Sequence, residues 1–227
     1  YLHYRDIYDP NRKQTGIDLK VAGQIKSLNN LGCDCSFVHC PQPETTFSMV
    51  KSCLPGFSDG IRWPEPSSLV GADFLYIRCP RFVSKELLSF LRKFKGENPA
   101  AKVIYEIPTY PYDEGMNNIK MYAALRKDRR YRNFLCEYVD RISDLSGTDK
   151  IFNVDTVQIF NGIDLDRIKK RQPKHPKDEI HLSCVAFYCD WHGIDRILYG
   201  LKEYYDAGGD RCIVVHLAGA GDGMPLL

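Results

Sequence analysis

The chain has no charge excess to speak of: 31 Lys and Arg face 29 Asp and Glu, a formal +2 over 227 residues. A dedicated nucleic-acid binder carries a clear basic excess or stripe, so that class is set aside. The clusters at 126–130 and 169–171 read as solvated faces, with contact to an anionic lipid or polyanion as the alternative. No apolar run is long enough to span a bilayer. No signal peptide opens the chain, which starts at Tyr1-Leu2-His3-Tyr4 without an initiator Met. That opening reads as the middle of a first strand whose start has been trimmed. Paired Cys-x-x-Cys units are missing too, and the nine cysteines are odd in number, which argues against a disulfide framework. Cys33, Cys35 and Cys40 lie near His39, but their spacing is unlike structural zinc sites. Cys33, Cys35 and Phe37 alternate as one face of a strand does. Reduced, buried thiols in a cytosolic protein, with no metal, are therefore expected.

What is present is 44% apolar residues, enough for a sizeable core, arranged as alternating strand and helix patterns. Residues 1–4, 35–40, 72–78, 101–107, 139–143 and 156–160 read as strands. Helical periodicity runs through Ile17, Val21, Ile25 and Leu28, through Leu87, Leu88, Leu91 and Phe94 up to Gly96, and over 119–138. The proline-rich stretch 41–66 reads as a long excursion with little regular structure. Strands separated by helices imply a parallel sheet covered on both faces. A basic stretch with Pro173 and Pro176 reads as a linker. Beyond it, a strand at 180–187, a helix through Ile194, Ile197, Leu198, Leu201, Tyr204 and Tyr205, and a strand at 212–217 make one β-α-β unit. The domains expected are thus 1–172, a linker at 173–179, and 180–227. A unit of about 50 residues does not build its own core economically, so more of this second domain is expected beyond Leu227.

Several motifs stand in a recognisable order. Asp190-Trp191-His192-Gly193-Ile194-Asp195-Arg196 comes after a predicted strand and enters a helix. Ala218-Gly219-Ala220-Gly221 comes after the last strand. Phe160-Asn161-Gly162-Ile163-Asp164 precedes the linker, Gly16 precedes the first long helix, and Glu106-Ile107-Pro108-Thr109-Tyr110-Pro111-Tyr112 leaves a strand end. Together they resemble family-4 glycosyltransferases of the GT-B fold, in the polysaccharide-building branch. The resemblance covers nearly the whole chain. It implies two Rossmann-like domains: a doubly wound acceptor-side domain, and the truncated start of a nucleotide-sugar donor domain. It also implies a retaining transfer from a nucleoside-diphosphate sugar to a saccharide or lipid-linked acceptor, with no metal or other cofactor. Peripheral contact with the inner face of a membrane would result from a lipid-linked acceptor. One departure is that His192-Gly193 stands where many relatives carry a Lys-Gly pair, with no Arg cleanly before it. The family's later Glu-x7-Glu segment would fall beyond Leu227.

The chemistry of these residues fits such a transfer. The leaving diphosphate must be neutralised, and backbone N–H groups at a helix start with a nearby cation do this. Asp190, His192, Gly193 and Arg196 stand at such a start, although Asp190 reads equally as a helix N-cap. By resemblance, Gly219 and Gly221 let the nucleotide lie close to the backbone; as residues alone they read as a strand-to-loop turn. Gly16 would lie over the sugar and acceptor, or simply open the helix. Arg5, Arg12 and Lys13 nearby suit an anionic acceptor such as a lipid diphosphate, or are simply solvated. Glu106 and Tyr110 sit at a strand's carboxyl end, where open sheets bind ligands. There Glu106 would orient an acceptor hydroxyl or serve as a structural acceptor, and Tyr110 would stack on a sugar. Gly162 is expected in a left-handed turn beside Asn161, with Asp164 capping the next segment. The competing class is a non-catalytic nucleotide-sugar or glycan binding module.

Overall fold

A computed structural model describes residues 1–43, 45–54, 56–113, 119–170, 178–188 and 192–221. The chain forms two compact units, Tyr1–Asp164 and Leu165–Leu227. Residues 161–170 are all exposed, so no buried side chain ties this stretch to a core. Most of the linker expected at 173–179 lies outside the described residues.

The first unit is α/β. Its strands are β1 (Leu2–His3), β2 (Val38–His39), β3 (Phe74–Arg78), β4 (Lys102–Glu106), β5 (Arg141–Asp144), β6 (Lys150–Ile151) and β7 (Val154–Gln158), in the order β2-β1-β3-β4-β5-β7-β6. All neighbours pair parallel except β6 with β7. Helices α1 (Gly16–Asn30), α2 (Thr46–Cys53), α3 (Lys85–Glu97) and α4 (Ile119–Tyr131) connect them. Right-handed crossovers send α1 to one face, because β1 to β2 runs one way along the sheet. The later connections run the other way and bring α2, α3 and α4 to the opposite face. Such a mostly parallel sheet, covered on both faces, is compatible with a Rossmann-like fold.

Two cores arise from the period-2 alternation of the strands. Leu2, Leu75, Ile77, Val103, Tyr105 and Ile142 point to the α3 side and pack with Leu87, Phe90, Leu91 and Phe94. Tyr1 and Tyr76 point the other way and pack with Val21 and Ile25 of α1. Ser84 caps α3, accepting from the Leu87 N–H at 3.0 Å.

Four segments depart from the sequence reading. The excursion contains α2, which is capped by Thr45 and tied down by Lys127, whose Nζ donates to the carbonyls of Ser52 (2.9 Å) and Phe57 (2.6 Å). The long helix stops at Tyr131 and tightens into a 3-10 turn over Arg132–Glu137, which buries Leu135. Helix α3 runs through Gly96 to Glu97, with Asn98 as its C-cap. A two-residue hairpin joins β6 and β7 at Phe152 (φ 49°) and Asn153 (φ 64°), the left-handed pair of a type I′ turn. Phenylalanine is a poor residue for that conformation. It is held by the Arg132 guanidinium 4.6 Å over its ring and by the edges of Tyr110 and Tyr112. The thiols differ from expectation as well. Cys33, Cys136 and Cys212 are exposed, while Cys40 and Cys53 are buried; residues 33–37 form no strand. Among the described residues, no helix is long and apolar enough to cross a membrane.

Among its described residues, the second unit is a single β-α-β motif: β8 (Glu179–Tyr188), α5 (Ile194–Asp206) and β9 (Cys212–Gly221). The two strands pair in parallel from Glu179 opposite Cys212 to Tyr188 opposite Gly221. Strand β9 therefore runs past the expected end at 217 and takes in the glycine cluster. No residue of α5 is buried.

Candidate functional site

Strand order fixes where a ligand crevice belongs in the first unit. From β1 the chain goes to β2 on one side, then returns to β3 on the other. The switch point thus lies between β1 and β3, and ligands of open parallel sheets sit at the carboxyl ends there. Register then assembles a row of side chains. Leu2 opposite Ile77 sets His3 beside Arg78; Arg78 is opposite Glu106, and Glu106 is opposite Ser143. All four are buried, and alternation puts them on the α1 face.

Glu106 is the hub of this row. Its carboxylate meets Arg78 Nη1 in a very short ion pair and Lys20 Nζ of α1 at 3.0 Å. It accepts from the Tyr76 hydroxyl at 2.9 Å and from Gln24 Nε2 at 3.4 Å. The Tyr1 hydroxyl lies 3.2 Å from it and 2.9 Å from Gln24 Oε1. Burial alone would raise its pKa, but Arg78 and Lys20 outweigh that and hold it below the usual carboxylate range. An ionised carboxylate with no exposed surface must be paired in this way.

A second carboxylate, Asp18, organises the loop after β1. Asp18 sits in the first turn of α1, where negative charge is favoured. It accepts from the Thr15 backbone N–H (2.7 Å) and hydroxyl (2.8 Å), as the acidic residue of a capping box does. Arg12 Nη2 donates to it at 2.9 Å and Arg5 Nε lies 3.7 Å away. Burial opposes its ionisation, yet the bonds from Thr15 and Arg12 and the charge of Arg5 lower its pKa.

His3 lies within electrostatic reach of both carboxylates and carries no bond to either. Among the described residues neither of its ring nitrogens has a hydrogen-bond partner, although the residue is only 1% exposed. Burial first, then the charges of Arg78 and Arg5, push its pKa down to about 4, against a smaller opposing pull from Asp18 and Glu106. The imidazole is therefore neutral at pH 7. It lines a small cavity with Arg78, Tyr4 and Trp63, with room for about one water molecule.

The structure scatters the site residues expected from sequence. Glu106 is in the row, but wholly buried, so it orients Arg78 and Lys20 and faces no solvent. Tyr110 is half-buried and packs edge-on against Tyr112 and Phe152. Gly16 opens α1, and a Cβ there would meet nothing within 4 Å, leaving open space above it. Arg5 and Arg12 converge on Asp18. Lys13 is exposed, and among the described residues it makes none of these contacts. Asn161, Gly162 and Asp164 are exposed, with Asp164 Oδ2 3.4 Å from Lys26 Nζ. Gly162 does not take the expected left-handed φ.

In the second unit Asp190 lies outside the described residues, and the N-cap of α5 is Gly193 at φ 65°. Its left-handed backbone is the reason a glycine stands there. The Arg196 guanidinium folds over Gly193, so that a Cβ would lie 3.2 Å from Arg196 Nε. His192 is exposed beside it. Gly219 and Gly221 belong to the β9 ladder instead of a loop. Their φ values are 153° and 150°, and a Cβ would lie 1.8 Å from the Ala186 carbonyl oxygen and 2.1 Å from that of Tyr188. Close strand approach explains both glycines without a ligand.

Sequence reasoning passed over His3, Asp18, Lys20, Tyr76, Arg78 and Ser143. Two signals were present: an arginine ending an otherwise apolar strand at 74–78, and an acid three residues after Thr15 at a helix start. Compared with known proteins, the chain matches no family model, no curated protein and no solved structure.

Proposed function

We propose that the chain is the acceptor-side part of a retaining glycosyltransferase, with the start of its donor side. It would move a sugar from a nucleoside-diphosphate sugar to a saccharide or lipid-linked acceptor, at the cytoplasmic side, in cell-surface polysaccharide assembly. The observation that carries this reading is the order of the motifs along two successive α/β units. In the first, Arg78 and Lys20 gather on Glu106 at the sheet's switch point. In the second, a strand hands over to a helix through His192, left-handed Gly193 and Arg196. The exposed His192 and Arg196, at the N-terminal end of α5, suit a leaving diphosphate. Tyr110 offers a ring to a sugar. Glu106 acts as a positioning residue through Arg78 and Lys20.

The complete burial of Glu106 also favours a second reading, a binding module without turnover. Nucleotide release from a panel of sugar donors, measured on the protein at its native length, separates the two. Release with one donor, lost in Arg196→Ala, is the expected result. Donor binding without release would leave the binding module.

A further inference from the structure

Helices α2 and α4 lie side by side on one face of the sheet, where Lys127 of α4 donates to the carbonyls of Ser52 and Phe57. Their outward faces differ in kind. On α2, Phe47, Lys51 and Leu54 recur at helical spacing as an exposed stripe, while Ser52 and Cys53 are buried on the other side. Phe47 is 79% exposed, and Phe57, just past the helix, is 45% exposed with Lys51 Nζ 5.0 Å from its ring centre. On α4, Tyr122, Arg126, Arg129 and Arg130 share the outward arc, opposite buried Leu125 and Asp128. Tyr122 is 63% exposed. Large apolar side chains thus stand in water beside guanidinium groups.

The acids of this region face inward or are already paired. Asp59 and Asp128 are each 1% exposed. Buried Lys127 lies within electrostatic reach of Asp59 and Glu86, and Arg132 pairs with Asp113 and Asp128. The outward cations are Lys51, Arg126, Arg130 and Arg81, whose Nη2 lies 3.4 Å from Ser52 Oγ of α2. Arg129 keeps 52% of its side chain exposed while pairing with Asp113. In sequence Lys120, Glu44 and Glu114 adjoin the two helices as well, and bases still outnumber acids.

The combination selects among anionic partners. A nucleic acid would meet the arginines and leave Phe47 and Leu54 in water. A bilayer interface takes both kinds of side chain: apolar groups enter the boundary between head groups and acyl chains, and cations stay with the lipid phosphates. We propose that the α2–α4 surface docks on an anionic lipid bilayer, with Phe47, Leu54, Phe57 and Tyr122 entering the interface and Arg126 and Arg130 meeting the head groups. The surface stands whether or not the chain transfers sugars. If it does, docking brings the acceptor side to the membrane that holds a lipid-linked acceptor.

The test is co-flotation of the full chain with vesicles of phosphatidylcholine alone, and of phosphatidylcholine and phosphatidylglycerol in equal parts. Binding is expected to the anionic vesicles, weaker at high salt because exposed charges are screened. Arg126→Gln and Arg130→Gln should each weaken it about fivefold, and Phe47→Ser about tenfold or more. Lys13→Gln removes an exposed charge on the β1-to-α1 connection and should leave binding unchanged. Thermal unfolding identifies any variant that fails to fold, leaving the others to decide. No binding to the anionic vesicles, or a loss in Lys13→Gln equal to that in Arg126→Gln, overturns the proposal. So does binding that Phe47→Ser leaves intact, or a single-stranded oligonucleotide bound as tightly as the vesicles, either of which makes the surface a general polyanion contact. Sugar transfer is decided separately, by nucleotide release from soluble donors.

Discussion

His3 joins stability to the crevice through its protonation. The folded protein holds its imidazole pKa near 4, against 6.5 in an ordinary setting. Below pH 6.5 the unfolded chain takes up a proton that the folded protein refuses. The contribution of His3 is thus fully favourable above about pH 6.5, and it falls away as pH drops toward 4. At 1.36 kcal/mol per pKa unit, the loss between pH 7 and pH 5 is about 2 kcal/mol. Urea unfolding of the wild type and of His3→Phe at both pH values isolates it. The variant, which cannot titrate there, should lose about 2 kcal/mol less on acidification. Equal losses in the two proteins would falsify the idea that the buried imidazole stays neutral. Asp18 and Glu106 act lower on the scale. Their lowered pKa values give stability that is complete above the ordinary carboxylate range and is lost as pH falls below it. The two effects therefore occupy different windows.

At the scale of elements, α3 shows how one hydroxyl can serve two structures. Ser84 Oγ accepts from the Leu87 N–H at the start of α3 and donates to Asp59 at 2.5 Å. Asp59 also accepts from Trp63 Nε1 (3.2 Å) and the Ile61 N–H (2.9 Å), and Trp63 stacks on Phe90 of α3. The cap thus pins the excursion to the helix it precedes. Ser84→Ala removes a cap and one donor to a buried acid at once. It should cost about 1–3 kcal/mol, read as a shifted urea midpoint with unchanged slope; a change below about 0.5 kcal/mol would mean that solvent replaces both bonds.

The sequence showed α3, β3 and β4 because their apolar periodicity was strong and their ends carried ordinary signals. It hid α2, whose eight residues lie among prolines, and it hid the β6–β7 hairpin, whose turn is Phe152-Asn153 and lacks glycine. The site was half legible for a related reason. Glu106 and Arg12 could be placed at the strand end and the loop from local pattern. The row from His3 to Ser143 exists only through the register of four strands, which no local pattern states. Gly219 and Gly221 looked like a loop because glycine usually ends a strand; here glycine is what lets β9 approach β8 so closely.

The two units differ in how much of their apolar surface is covered, and that difference predicts how each behaves alone. In Tyr1–Asp164 both faces of a seven-stranded sheet are covered, and both buried cores lie entirely within those residues. In Leu165–Leu227 one helix meets two strands, and Val185, Tyr199 and Tyr205 are 82%, 68% and 47% exposed. Burial of apolar area is the main favourable contribution to folding, and about 60 residues with so little of it fall short of the entropy cost of ordering them. Residues 1–164 produced alone should unfold cooperatively, within a few degrees of the main transition of the whole chain. Residues 165–227 produced alone should show no cooperative transition by circular dichroism. A molten 1–164 fragment would mean that the sheet depends on the second unit. A cooperative 165–227 fragment would mean that the β-α-β motif finds, by self-association, the cover it lacks here, and its transition would then shift with concentration.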